Sequence, residues 1–354
     1  MTARKRKFSY LMALGGIFGI ALAVGVQAQG GWQAALASEP DRQLLGSVRE
    51  SARALRAGGA QGGLALYLGD SVLFIQERWP QVTDPKLRLP AMVSAAYAKA
   101  HPLPADALQF ISFCGPGFKA ADFLGMGSAL SGQSAQLRLA VIPLNLRLFS
   151  PAWNAQSRWQ NPSLQRYLPL SLVLGRPSYL ENGPGFASYA LGRLDEAMAG
   201  APGDAFRSLA WALGSWQRRG LAAPIPPGPT VTQAQERNYL FTMQPENPQL
   251  QASLDLGRLL RSRGVTPFFY ATPLPVDEVR AGAGAAEVRL EENVALIVAR
   301  LGDAGFEVAD YHDSIHGGFF DPAVEHLSAA AMRKTAGLIA RDLGALMAAK
   351  PSPF

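Results

Sequence analysis

Short apolar runs, each stopped by a glycine turn or a polar residue, alternate along this chain with longer stretches of helical periodicity, and no other feature restricts the fold as much. Residues 63–68 read Gly-Leu-Ala-Leu-Tyr-Leu and end at Gly69-Asp70-Ser71; residues 108–113 read Leu-Gln-Phe-Ile-Ser-Phe and end at Cys114-Gly-Pro-Gly117. Residues 137–144, 265–271 and 306–310 repeat the pattern. Helical spacing of apolar positions fills residues 41–57, 120–130, 248–263, 288–301 and 328–348. Apolar strands separated by amphipathic helices form parallel sheets covered on both faces, because a parallel neighbour is reached only through a crossover. The expected fold class is therefore α/β, a parallel sheet with helices on both faces, whose ligands sit beyond the C-terminal ends of the strands.

Residues 150–247 break the pattern. They mix Trp153, Trp159, Trp211 and Trp216 with turn-rich pieces and the proline cluster of residues 223–229. They read as an insertion or lid on a single domain running from residue 29 to residue 354. No internal repeat of solenoid or propeller length is visible.

The N-terminus adds a constraint on location. Arg4-Lys5-Arg6-Lys7 precede an uncharged apolar stretch, residues 8–26, long enough to enter or span a bilayer. Positive charge stays cytoplasmic, so the chain beyond residue 29 is expected outside the inner membrane, in the periplasm or cell envelope. Val26-Gln27-Ala28 fits a signal-peptide cleavage site, whereas 19 uncharged residues suit an uncleaved signal anchor, and the length favours the anchor. The same four basic residues carry most of the formal net charge of +6, and residues 1–28 hold no acid. The +2 that remains excludes a nucleic-acid partner. Cys114 is the only cysteine, so the chain has no intramolecular disulfide and no cysteine-based zinc site.

Ser71 follows a buried strand in a turn made by Gly69 and Asp70, which presents its hydroxyl and its own N–H at the mouth of the sheet. A serine hydroxyl needs a base, and the chain offers only His101, His312, His316 and His326. His326 lies at a loop-to-helix junction with acids beside it to orient the ring. His312 and His316 stand four apart, but Gly317-Gly318 and the preceding strand make their segment a loop rather than a helix that could present two metal ligands. Acyl transfer also needs donors to an oxyanion. Gly115 and Gly117 offer backbone N–H groups, Asn145 offers an amide at the end of a strand, and the Ser71 N–H is a third source.

Serine after the first strand, glycine after the second, asparagine after the third and histidine near the C-terminus together resemble the SGNH, or GDSL-like, hydrolase superfamily over residues 60–150 and 250–345. The resemblance implies a flavodoxin-like three-layer fold and a Ser-His-acid set with Ser71 and His326. It also implies an oxyanion hole of Ser71, Gly115 or Gly117, and Asn145, and no metal or organic cofactor. Two departures stand out: the family's Gly-x-Asn-Asp block is Pro143-Leu-Asn-Leu146 here, and Ala323 occupies the position of the family's acid. Asp321 and Glu325 are the substitutes. Asp321 is favoured because it precedes the helix and can fold back onto the ring, whereas neighbouring side chains such as those of Glu325 and His326 diverge.

The N-terminal anchor, Asn145 in Pro-Leu-Asn-Leu, residues 270–275 (Tyr-Ala-Thr-Pro-Leu-Pro) and the terminal His-Leu-Ser helix resemble the exported SGNH-like proteins that work beside membrane-bound O-acyltransferases. Those include the enzymes of alginate acetylation and of teichoic acid D-alanylation. The resemblance implies a glycan or acyl-ester substrate and a membrane-bound O-acyltransferase as partner. The expected function is that of an exported serine esterase or O-acyltransferase, since hydrolysis and transfer share every catalytic residue. A catalytically inactive SGNH-like scaffold and a plain periplasmic binding protein are the alternatives from other classes.

Overall fold

The computed structural model describes residues 39–58, 63–73, 88–102, 108–115, 117–155, 161–176, 179, 238–283, 286–321 and 325–349. The apolar segment 8–26, Trp159, Trp211, Trp216 and the proline cluster lie outside the described residues. No described helix is long and apolar enough to cross a membrane. The chain divides into two units, residues 1–43 with 184–222 and residues 44–183 with 223–354. In the first, the described residues are 39–43, the opening turns of helix α1 (Glu39–Ala57).

The second unit is built on five parallel strands, β1 (Gly63–Gly69), β2 (Leu108–Cys114), β3 (Leu137–Leu144), β4 (Thr266–Ala271) and β5 (Glu307–Asp310). Their spatial order is β2-β1-β3-β4-β5, and every neighbouring pair is parallel. This is the flavodoxin-like doubly wound order, whose direction of winding reverses between β1 and β3. The crossovers are helices: α2 (Leu89–Ala100), α3 (Ala120–Leu130), α4 (Pro248–Ser262), and the pair α5 (Val276–Ala283) and α6 (Ala286–Asp303). Helix α7 (Ala329–Ala349) closes the fold.

Side-chain alternation assigns the two faces. Ala65 and Tyr67 of β1, Leu139 and Val141 of β3, and Phe268 and Tyr270 of β4 share one buried cluster with Val93 and Tyr97 of α2 and Met332, Ile339 and Leu343 of α7. Within it the Tyr67 and Tyr270 hydroxyls hydrogen-bond at 2.7 Å, so neither buried phenol lacks a partner. The alternate residues face α3, α4 and α6; Phe269 of β4 meets Phe306 with ring centroids 5.6 Å apart. Strands buried on both faces explain why these segments read as continuous apolar runs.

The boundaries expected from periodicity hold within two residues for the five strands and for the helices read over 41–57, 120–130, 248–263, 288–301 and 328–348. Helices α2 and α5 were not among the expectations. The loop-to-helix junction expected at His326 is instead a short antiparallel pair, β6 (Phe319–Asp321) with β7 (His326–Leu327), placed immediately before α7. Trp153 belongs to the core, since it is 4% exposed.

Candidate active site

In doubly wound sheets the ligand crevice lies beyond the strands' C-terminal ends where the winding reverses, and here Asp70, Asn145 and Arg147 leave β1 and β3 at that place. Gly69 ends β1. A Cβ there would lie 2.0 Å from Leu73 Cδ1, so a side chain would displace the tight turn that follows. Asp70 then folds its carboxylate back over that turn: Oδ1 accepts the Val72 N–H at 3.1 Å while the Asp70 carbonyl accepts the Leu73 N–H at 3.2 Å. The resulting short 3-10 turn, Ser71–Leu73, buries Val72 and Leu73 and leaves Ser71 partly exposed at its start.

His326 comes to Ser71 from the far end of the chain. Its Nε2 is 3.2 Å from Ser71 Oγ, and β7 places it there. Burial, and next the positive charge of Arg147, push the imidazole down to about 3, so the ring is neutral and able to accept a proton. Asp321 is the backbone partner of His326 in the β6–β7 pair.

Glu325 sits at φ 61, the one non-glycine residue in the left-handed region among those described. That backbone, costly for a residue with a side chain, turns the carboxyl inward while the next residue reaches outward to Ser71. Glu325 Oε2 accepts the Thr272 hydroxyl at 2.9 Å and Oε1 accepts the Arg147 N–H at 3.3 Å. Among the residues whose side chains are described, no acid contacts the His326 ring, and Glu325 joins the ends of β3 and β4 instead. Burial raises its carboxyl to about 8 despite the opposing charge of Arg147, so it is largely protonated at neutral pH.

Arg147 is a residue of this cluster that motif reasoning passed over. It lies in the 3-10 turn Leu146–Phe149 directly after β3, where all four residues are buried. Its Nη2 donates to Asp70 Oδ2 at 2.8 Å and to Ser71 Oγ at 3.1 Å. The guanidinium also lies over the Trp153 ring, 4.9 Å from the centroid. The turn is pinned by Asn247, whose amide donates to the Phe149 carbonyl at 2.8 Å, and by Asn154, whose amide donates to the Leu148 carbonyl at 2.7 Å. Burial opposes the charge of Arg147, but Asp70 and then Glu325 more than offset it and hold the guanidinium above its ordinary value. A single arginine inside the apolar run Val-Ile-Pro-Leu-Asn-Leu-Arg-Leu-Phe was the available signal, because a buried cation requires a paired acid.

The expected oxyanion donors separate in the structure. Asn145 is wholly buried, and its Nδ2 is turned towards Asp70 Oδ2 at 3.4 Å. The Gly115 N–H is engaged with the Gly69 carbonyl at 3.3 Å, extending the β1–β2 ladder. A Cβ on Gly115 would lie 2.7 Å from the Phe118 ring, which accounts for the glycine structurally. Gly117 lies in the left-handed region at φ 70. Beyond it Asp122 caps α3 by accepting the Lys119 N–H at 2.9 Å, and Lys119 Nζ donates to the Asn154 carbonyl at 3.0 Å.

The other histidines are elsewhere. His312 and His316 lie in the turn after β5, as their glycines implied. Both His312 ring nitrogens are taken, by Asp310 at 2.7 Å and Glu291 at 2.9 Å. No cluster of three or more His, Cys, Asp or Glu suited to a metal occurs among the described residues.

No protein-family model matches the chain, and no curated protein sequence does. Among solved structures, the carbohydrate acetylesterase Est24 from Sinorhizobium meliloti is 14% identical, aligning 80% of this chain with 100% of its own at a TM-score of 0.36. A putative arylesterase from Agrobacterium tumefaciens is 14% identical, over 80% of this chain and 97% of that one, with a TM-score of 0.34. An extracellular lipase from Streptomyces rimosus is 13% identical, over 79% and 99%, with a TM-score of 0.36.

Proposed function

We propose that the chain is an SGNH-type serine acyl-ester enzyme with Ser71 as nucleophile and His326 as base. The observation that carries this reading is the 3.2 Å contact between Ser71 Oγ and His326 Nε2 at the C-terminal edge of the sheet, made by residues 255 positions apart. Ser71 Oγ attacks the acyl carbonyl carbon while its proton passes to Nε2. Collapse of the tetrahedral intermediate breaks the bond to the leaving alcohol, which takes the proton from His326 and leaves the acyl group on Ser71. An acceptor hydroxyl, of water or of a sugar, then gives its proton to His326 and removes the acyl group. The Ser71 and Gly117 N–H groups are the backbone donors assigned to the oxyanion. Asp321, opposite His326 across the β6–β7 pair, is the acid assigned to the imidazolium, since Glu325 is committed to Thr272 and Arg147.

The substrate class proposed is an acylated glycan of the cell envelope or an exopolysaccharide, met outside the inner membrane, where residues 8–26 anchor the chain beside a membrane-bound O-acyltransferase. The basic run followed by an apolar segment supports this location. The test compares wild type with Ser71→Ala, using p-nitrophenyl acetate turnover and the acyl content of the envelope glycan as readouts. The expected result is a fall in kcat/KM of about a thousandfold or more with altered glycan acylation. Unchanged values in both assays would replace the enzyme with a silent scaffold.

A further inference from the structure

We infer that Arg147 is a catalytic residue of this site, donating through Nη2 to Ser71 Oγ and stabilising the negative charge that this oxygen carries as it attacks and as it leaves. The inference rests on the Ser71–His326 reading above and adds to it a cationic donor at the nucleophile itself. Nη2 has two hydrogens, and the geometry gives each a receiver: Asp70 Oδ2 at 2.8 Å and Ser71 Oγ at 3.1 Å. With Arg147 occupying one side of Oγ as a donor, the hydroxyl proton of Ser71 is directed to His326 Nε2, the arrangement that proton transfer requires.

The surroundings hold the guanidinium there. Asp70 pairs with it inside the protein, the Trp153 ring lies beneath it, and Glu325 holds the Arg147 backbone N–H. A donor fixed in this way and shielded from water needs no reorganisation as charge develops on Oγ. The asparagine that the resemblance assigns to the oxyanion is turned to the same aspartate, so the two polar residues leaving β3 divide the work: Asn145 and Arg147 both bind Asp70, and only Arg147 also reaches Oγ. During acylation Oγ gives its proton to Nε2 and forms the bond to the acyl carbon. During deacylation that bond breaks, the electron pair returns to Oγ, and Nε2 gives the proton back. In both half-reactions the charge on Oγ forms against the Nη2 hydrogen, and the one co-reactant is the acceptor hydroxyl, of water or of a sugar, that takes the acyl group in deacylation.

The experiment measures the second-order rate of a fluorophosphonate probe with Ser71 in the full chain, with the labelled site read by peptide mass spectrometry. The variant Arg147→Met/Asp70→Asn removes both buried charges together, and its near-ultraviolet circular dichroism shows whether the fold is kept. The expected result is a loss of labelling rate of about a hundredfold in the folded double variant. Labelling of that variant at the wild-type rate overturns the Arg147 role and leaves the Ser71–His326 reading standing. Absence of a Ser71 adduct in the wild-type chain overturns both. Should the double variant not fold, a crystal structure of the wild-type phosphonate adduct decides: Arg147 Nη2 within hydrogen-bond distance of Ser71 Oγ supports the donor, and a guanidinium turned away from Oγ overturns it.

Discussion

Arg147 and Asp70 form an ion pair at 2.8 Å with side chains 1% and 0% exposed, and the same arginine nitrogen reaches Ser71. A pair so deeply buried is costly to break from one side, because the remaining charge keeps its desolvation penalty and loses its partner. Arg147→Met is expected to destabilise the fold by about 3–5 kcal/mol. Adding Asp70→Asn should recover most of that loss. Urea unfolding of wild type, single and double variants measures both; a single-variant cost within the range of a surface pair, about 1 kcal/mol or less, contradicts the buried clamp.

His326 is held neutral by burial and by Arg147, with its folded value near 3 against an ordinary 6.5. A histidine depressed in this way contributes stability that is present above 6.5 and is lost as pH falls towards 3, because the unfolded chain takes up the proton first. In ¹⁵N spectra of imidazole-labelled protein, the ring is expected to remain neutral well below 6.5. A midpoint at 6.5 would show that the ring is neither desolvated nor beside the guanidinium.

Glu325 gives the opposite dependence. Its carboxyl is raised from 4.5 to about 8, chiefly by burial, so the folded chain holds a proton that the unfolded chain has released. Its contribution is complete below 4.5 and is lost as pH rises through 8. Glu325→Gln, which never ionises, should flatten the decline of stability over that window. Parallel thermal-unfolding profiles for wild type and variant across the window would contradict a buried, protonated Glu325.

Much of this was legible in the residues. The five strands were readable because strand burial on both faces leaves continuous apolar runs, and because glycine and small polar residues mark where those runs end; the two residues proposed as nucleophile and base, Ser71 and His326, were singled out by the same marks and lie 3.2 Å apart. The Arg147–Asp70–Asn145 contacts were not readable, since they join residues 75 to 77 positions apart and depend on the order in which strands lie side by side. The β6–β7 pair escaped notice because strands of three and two residues have no periodicity to detect. Helix α2 was missed for a related reason: Leu-Pro-Ala-Met-Val-Ser-Ala-Ala-Tyr-Ala is apolar around much of its circumference and shows little amphipathic contrast. Glu325 was weighed as the acid on proximity to His326 in sequence. Its left-handed backbone sends the two neighbouring side chains to different partners.

The central claim is that Ser71 carries the acyl group, and the most direct measurement is to trap it. Wild-type protein mixed with p-nitrophenyl acetate, quenched in acid and digested, is expected to yield one acetyl group on the peptide containing Ser71. The adduct should be absent from Ser71→Ala and strongly reduced in His326→Ala. An unmodified Ser71 peptide in wild type, or acetylation that persists at the same level in Ser71→Ala, would contradict the account.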